Sequence, residues 1–148
     1  MSSLLTLIHK FTLRKMSPPV IGFIDNESIS RSLSRYLFVT KHVRGLVLDI
    51  GCGSCYGISI IKRIGGDKVY TIGLDIDVDL LSYGRLIYDV DDLIVASAEF
   101  LPFRKRSFDS VICLELIEHL SKKGQIKLCQ GINAILKRNG FSIYLNSK

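Results

Sequence analysis

The sequence predicts an α/β fold in which five mainly parallel strands form one doubly wound sheet, with helices on both faces. Three observations support this. From residue 45 onward, short runs of Leu, Ile and Val alternate with segments whose apolar residues repeat at helical spacing. The apolar runs are nearly continuous, which is typical of strands buried on both faces of a sheet. A glycine-rich turn directly follows the first run.

The N-terminal part, residues 1–44, is predicted to be helical and to cap a domain formed by residues 45–148. A first amphipathic helix covers residues 1–16 and ends before two prolines, which break helices. A second helix begins near Asp25 or Asn26, because both residue types are good N-caps. Its apolar positions repeat at helical spacing, at Ile29, Leu33, Tyr36 and Leu37.

Strands and helices alternate through the rest of the chain. The five strands are predicted over Leu46–Ile50, Lys68–Asp75, Leu93–Ser97, Ser110–Leu114 and Phe141–Leu145. Helices are predicted over Tyr56–Ile64, over Val78–Ile87 and around Leu128, Cys129, Ile132, Ile135 and Leu136. Gly140 then occupies the position of a helix C-terminal glycine. The expected strand order is 3-2-1-4-5, and ligands of such sheets bind beyond the carboxyl ends of the strands.

The turn after strand one predicts a site for an adenosine-containing ligand. Gly51 and Gly53 let the backbone approach a ligand closely. Asp75 ends strand two about 20 residues later, where a carboxylate binds ribose hydroxyls. A dinucleotide fingerprint would need a glycine in place of Tyr56, and the Asp49 carboxylate would repel a pyrophosphate. Asp49 instead suits a ligand that carries a positive ammonium group.

The segment from Val47 to Gly53 resembles motif I of class I S-adenosylmethionine-dependent methyltransferases. Four later segments resemble, in order, motif II, the loop after strand three, strand four and the turn into strand five; they are Gly73–Asp77, Ala98–Phe103, Ser107–Cys113 and Leu136–Phe141. The resemblance covers residues 45–148 and is closest to the type 11 branch, which modifies small molecules and quinones. It implies a Rossmann-like fold and methyl transfer from S-adenosylmethionine to a quinone, lipid or phenol-like acceptor.

The resemblance also implies which residues bind the cofactor. The residues beside its methionine part are Asp49, Gly51, Cys52, Gly53 and Leu114. The residues beside its adenosine part are Asp75, Ile76, Ser97 and Ala98. Two positions depart from the family pattern and are expected to weaken the affinity: Cys55 replaces a common third glycine, and Ser97 replaces an Asp that accepts from the adenine amino group.

Glu115, Glu118 and His119 follow strand four at a spacing that would place them on one face of a helix. Two carboxylates and an imidazole can hold magnesium or manganese. The pattern resembles that of metal-dependent O-methyltransferases of ubiquinone synthesis and of plant small-RNA 2′-O-methyltransferases. His119, with Glu115, could instead act as a general base. In a third interpretation, the three side chains are polar residues at the rim of a pocket.

Cysteines and charge limit the other functions. Cys52 and Cys55 have the spacing of a zinc or redox pair, but Cys113 is expected inside a core strand and Cys129 on a core helical stripe. With no export signal, the four cysteines are interpreted as reduced thiols of a cytoplasmic protein. The net charge of +6 comes from scattered basic residues. Nucleic acid is therefore a possible partner that the pattern does not favour.

Three alternatives to a small-molecule methyltransferase stay open: an RNA methyltransferase, a non-catalytic subunit completed by a partner chain, and an NAD(P)-dependent oxidoreductase. The second gains support because the last two strands of the usual fold are missing after residue 145. Strand five would then have an open edge, which is a template for another strand. We expect a homodimer or a partner chain at this edge.

Overall fold

The computed structural model describes residues 26–145, so the helix predicted over residues 1–16 lies outside the described part. In this part the helices are α1 (Asn26–Thr40), α2 (Tyr56–Gly65), α3 (Val78–Ile87) and α4 (Lys122–Ile135). The strands are β1 (Gly45–Ile50), β2 (Val69–Asp75), β3 (Asp92–Val95), β4 (Phe108–Leu114) and β5 (Leu136–Leu145). Short 3₁₀ helices cover Gly66–Lys68 and Ile117–His119.

The five strands form one sheet in the order β3-β2-β1-β4-β5, and every adjacent pair is parallel. This confirms the predicted fold class and strand order. The chain moves outward from β1 to β3 and then returns to the other side of β1 with β4. The carboxyl ends of β1, β2 and β4 therefore meet where the strand order reverses, and ligands of doubly wound sheets bind at that point.

The sheet is buried on both faces, which explains its nearly continuous apolar strands. One face packs against α4 through a cluster that includes Leu48, Phe108, Val111, Leu128 and Ile132. The opposite face packs against α1 and α2 through Val39, Val47, Ile61, Val69 and Ile112. Full burial of an aliphatic or aromatic side chain contributes about 1.5–3 kcal/mol. The two clusters therefore hold the strand ends in fixed positions beneath the site.

Two residues predicted on buried helix faces are exposed. Leu37 is 40% exposed, whereas Val39 of the same helix is fully buried. Cys129 is also exposed, beside the fully buried Leu128. Successive helical residues lie about 100° apart around the axis. Leu37 therefore lies on nearly the opposite side of its helix from Val39, whereas Cys129 lies about 100° from Leu128, and neither side chain points into the core.

The start of β5 also differs from the prediction. The last helix ends at Ile135, and Leu136 already has extended backbone with φ −67° and ψ 137°. The prediction that Gly140 ends this helix is therefore wrong, because Gly140 lies within β5. The register between β4 and β5 shifts after Leu136, which indicates a bulge. A Cβ at Gly140 would lie 3.0 Å from the carbonyl oxygen of Phe108, so a larger residue here would crowd the bulge.

β5 is at one edge of the sheet formed by the described residues. Beside it, on the side of α1, lies a groove of about 430 Å³ that is lined by Phe38, His42, Arg44, Phe141 and Ile143. The Arg44 guanidinium lies 5.7 Å from the centre of the Phe141 ring. No helix between residues 26 and 145 is both long and apolar enough to cross a membrane.

Candidate functional site

The turn after β1 is held by backbone geometry that favours glycine. Gly51 and Gly53 have φ angles of 78° and 54°, in the left-handed region that other residues rarely adopt. The N–H groups of Gly51 and Cys52 donate to the carbonyl oxygen of Leu74, at 2.7 and 3.1 Å. These bonds fix the turn against the end of β2. The structure therefore has a turn at the predicted position, between β1 and α2.

Asp75 at the end of β2 is hydrogen-bonded to the same turn. Its Oδ2 accepts from the N–H of Gly53 at 2.8 Å, and its Oδ1 accepts from the N–H of Asp77 at 2.9 Å. These bonds fix the orientation of the carboxylate. Each carboxylate oxygen can accept a second hydrogen bond. A half-buried carboxylate in this orientation fits a ligand with two neighbouring hydroxyl groups.

Asp49 is fully buried at the end of β1. Its Oδ2 accepts a hydrogen bond from the Tyr36 hydroxyl at 3.1 Å, and its Oδ1 has no partner among the described residues. The pKa of Asp49 is raised to about 7, mainly by burial and to a smaller extent by the charge of Asp75, although the hydrogen bond from Tyr36 acts in the opposite direction. Buried polar atoms are rarely left without a partner. The free oxygen therefore fits a ligand donor, and a cationic donor best.

Apolar side chains are exposed in the loops after β2 and after β3. Ile76, which directly follows Asp75, is 73% exposed, and Phe100 in the loop after β3 is 68% exposed. In the same loop, the Ser97 hydroxyl oxygen accepts from the N–H of Glu99 at 3.2 Å, and Ala98 is half-buried. Ile76 offers apolar surface for a flat ring directly after Asp75. Leu114, the remaining predicted cofactor residue, is buried in the core at the end of β4.

The helix predicted to present Glu115, Glu118 and His119 on one face is not present. Glu115 has a left-handed backbone with φ 56°, His119 ends the short 3₁₀ helix, and α4 begins only at Lys122. The Ser121 hydroxyl caps α4 by accepting from the N–H of Gly124 at 3.1 Å. This cap fixes the late start of the helix. The helical-face prediction is therefore wrong.

The side chains after β4 also do not gather around a metal position. The Glu115 carboxylate forms an ion pair with Arg35 of α1, and Glu118 and His119 are exposed. Among residues 26–145, no group of three His, Cys, Asp or Glu side chains could hold a metal ion. The magnesium prediction at Glu115, Glu118 and His119 is therefore not supported.

Cys52 and Cys55 fill space beneath the turn. Both are buried in a cluster with Ile58 and Leu81, while Cys113 is buried in β4 as predicted. The hydrogen bond with Cys55 and then burial raise the pKa of Cys52 well above its usual value, so this thiol stays protonated at neutral pH. Protonated thiols are poor nucleophiles and poor metal ligands. The pair acts as packing in this structure.

Arg35 and Tyr36 are the site residues that the sequence did not indicate. Both lie on α1: Arg35 pairs with Glu115, and Tyr36 contacts Asp49. The Tyr36 ring packs on Gly57, where a Cβ would lie 1.8 Å from a ring carbon. Gly57 in the first turn of α2 was the only signal in the sequence, since it permits close approach of another element. It gave no indication of which residue approaches.

Comparisons with known proteins agree with this geometry. A family described as "Methyltransferase domain" matches residues 48–144. The mitochondrial ubiquinone biosynthesis O-methyltransferase of Arabidopsis thaliana is 28% identical over 88% of this chain and 41% of its own length. The ubiquinone biosynthesis O-methyltransferase of Idiomarina loihiensis is 29% identical over 79% of this chain and 45% of its own length. The chain thus spans less than half of each of these two relatives.

One solved structure illustrates the similarity of the fold. The PH0226 protein from Pyrococcus horikoshii OT3 superposes with a TM-score of 0.71 at 26% identity. The match covers 84% of this chain and 56% of that protein. The fold of this chain therefore has a counterpart among known structures.

Proposed function

The chain belongs to the methyltransferase-domain family, and on this premise we propose that it binds S-adenosylmethionine and transfers its methyl group to a small-molecule acceptor. The observation that carries the proposal is the arrangement of two carboxylates around the glycine turn. Asp75 is oriented for hydroxyl donors, and Asp49 keeps one buried oxygen for a cation. This pair matches a ligand that has a ribose at one end and an amino-acid ammonium at the other.

The residues of the chain would hold the cofactor along the carboxyl ends of β1 and β2. Asp75 would accept from the ribose hydroxyls, and Ile76 would cover one face of the adenine, with Ser97 and Ala98 at its edge. Gly51, Cys52, Gly53 and Leu114 would line the methionine part, and Asp49 would bind its ammonium group. When bound, the cofactor supplies a methyl group that is already activated by the sulfonium charge. The remaining task of the protein is to position the acceptor.

His119 is our candidate for a general base near the acceptor. It is exposed after β4 and can accept the proton that a phenol or alcohol loses as its oxygen gains the methyl group. Glu115 would hold α1 in place through its ion pair with Arg35 and would not contact the acceptor. A general base contributes about 10²–10⁴-fold to such a rate. No metal is needed in this proposal.

The two ubiquinone O-methyltransferase relatives support a quinone- or phenol-like acceptor. An RNA acceptor is less favoured, because the basic residues of the sequence are scattered and include no continuous basic run. The four cysteines are free thiols in the structure. They support a reducing compartment, and the cytoplasm stays our prediction.

The first test compares ligands. Titration calorimetry should show that S-adenosylhomocysteine binds and that NADH does not, because Asp49 would repel a pyrophosphate. The Asp75→Ala variant should lose about 1–3 kcal/mol of binding free energy, since it removes a charged acceptor for the hydroxyls. Asp77→Ala is a matched control, because it removes only the N-cap of α3. Unchanged affinity in Asp75→Ala would remove Asp75 from the site, and NADH binding would favour an oxidoreductase.

For partners, we propose that a second chain pairs with β5, either as a homodimer or as a partner chain that completes the sheet. Among residues 26–145, no strand pairs with its outer edge, which carries apolar side chains, and Tyr144 is 37% exposed. Unpaired strand edges of this kind are templates for association. Sedimentation over a concentration series should show self-association of the purified chain. A monomer at every concentration would contradict the homodimer.

A further inference from the structure

Tyr36 connects α1 to the Asp49 carboxyl group. Its ring packs on Gly57 in the first turn of α2, and its hydroxyl donates to Asp49 Oδ2 at 3.1 Å. Burial and the Asp49 charge raise the pKa of Tyr36 well above its usual value. The hydroxyl therefore keeps its proton, and remains a donor, throughout the neutral range.

This hydrogen bond makes the two oxygens of Asp49 unequal. Oδ2 is occupied by Tyr36, whereas Oδ1 is buried without a partner among the described residues. The titratable groups that face Asp49 are Tyr36 of α1, Asp75 of β2, Cys52 in the turn and Cys113 of β4. None of these groups can carry a positive charge. Within residues 26–145, no cationic group faces Asp49, so the ammonium group of a ligand can fill this role.

We propose that Tyr36 is a positioning residue, whose hydroxyl holds the Asp49 carboxylate so that Oδ1 faces the ammonium group of the ligand. The inference rests on the proposed function, because it needs a ligand with an amino-acid end. In this proposal α1 takes part in ligand binding, because the Tyr36 side chain both packs on Gly57 of α2 and orients Asp49.

The proposal has a specific pH signature. Asp49 binds an ammonium group well only when it is ionised, and burial raises its pKa to about 7. Affinity should therefore fall as the pH decreases through that value. The Tyr36 bond favours the ionised form and lowers the pKa. Removing the hydroxyl should therefore move the midpoint of the affinity profile to higher pH.

The experiment compares two ligands in the Tyr36→Phe variant. S-adenosylhomocysteine carries the ammonium group, whereas 5′-methylthioadenosine has the same adenosine but no amino-acid end. Calorimetry at about pH 7 should show a loss of roughly tenfold or more for S-adenosylhomocysteine. The affinity for 5′-methylthioadenosine should stay within about twofold, which also shows that the variant is folded. The same titrations from about pH 6 to 9 should show the shifted midpoint.

Tyr70→Phe is the matched control. Tyr70 also donates to a carboxylate, Asp92 Oδ2 at 2.7 Å, but this pair is exposed. The control should leave both affinities and the midpoint unchanged. Equal weakening of both ligands in Tyr36→Phe with an unshifted midpoint would show a merely structural role, and unchanged affinities would also overturn the inference. If the wild-type chain binds neither ligand, the proposed function itself fails.

Discussion

The turn after β1 and the segment after β4 lie side by side at the carboxyl end of the sheet, yet they differ in how their geometry arises. In the turn after β1, the shape depends on glycines at positive φ and on backbone bonds to Leu74. In the segment after β4, Glu115 adopts a similar left-handed backbone without being glycine, and its carboxylate pairs with Arg35 of a distant helix. In the first region the residue types of the turn itself favour its shape and β2 supports it, whereas the second geometry depends on tertiary packing alone.

The two regions also differ in electrostatics. Asp49 is fully buried with an unpartnered oxygen, and burial raises its pKa to about 7. Glu115 is half-exposed and already has a cationic partner. A site for a charged ligand group needs a polar atom that folding leaves unsatisfied. The first region meets this condition, and this difference predicts which variants will affect binding.

The largest effect expected from this comparison is on stability, in the Asp49→Asn variant. A carboxyl whose pKa rises from 3.8 to about 7 on folding disfavours the folded state once it ionises. The wild type should lose stability relative to Asp49→Asn as the pH rises from about 4 to 7, by up to about 4 kcal/mol. Urea unfolding of both proteins at the two pH values measures this difference.

Asp91→Asn is the control, because the pKa of Asp91 is shifted in the opposite direction to that of Asp49. Partial burial raises the pKa of Asp91, but its bonds to Lys62 and Thr71 outweigh this and lower it. An acid with a lowered pKa stabilises the folded state above its unfolded pKa, and this contribution is lost as the pH falls through the folded value. Asp91→Asn should therefore be less stable than the wild type at neutral pH. If wild type and Asp49→Asn show the same pH dependence, Asp49 is not a buried acid of raised pKa.

The sequence predicted those features of the fold that depend on local chemistry. The alternation of apolar runs with helical spacing predicted a doubly wound parallel sheet, for which 3-2-1-4-5 is a common strand order, and the position of Asp75 follows from the length of β2. The helix over Val78–Ile87 matches its prediction, and it begins at Val78 because Asp77 caps it by accepting from two N–H groups. Such caps and periodicities are properties of neighbouring residues, so they can be recognised without a structure.

The features that the sequence did not predict depend on contacts between distant elements. Tyr36 had the spacing of an ordinary apolar position, and only the packing of α1 on Gly57 brings its hydroxyl to Asp49. Leu136 continued the helical spacing of α4, but pairing with Phe108 of β4 makes it the first residue of β5. Glu115 had helical spacing to His119, and its left-handed backbone removes that relation. In each case tertiary packing outweighs a weak local preference.

The smallest expected effect is in the segment after β4, where we expect that a substitution leaves cofactor affinity unchanged. His119 is exposed, and the described residues provide no metal group around it. His119→Ala should therefore change the affinity for S-adenosylhomocysteine by less than about twofold, and a chelator should not change it. Calorimetry with and without the chelator measures both. A larger loss of affinity in the variant would place His119 in the cofactor site. A loss of affinity that occurs only with the chelator would indicate a metal site at this end of the sheet.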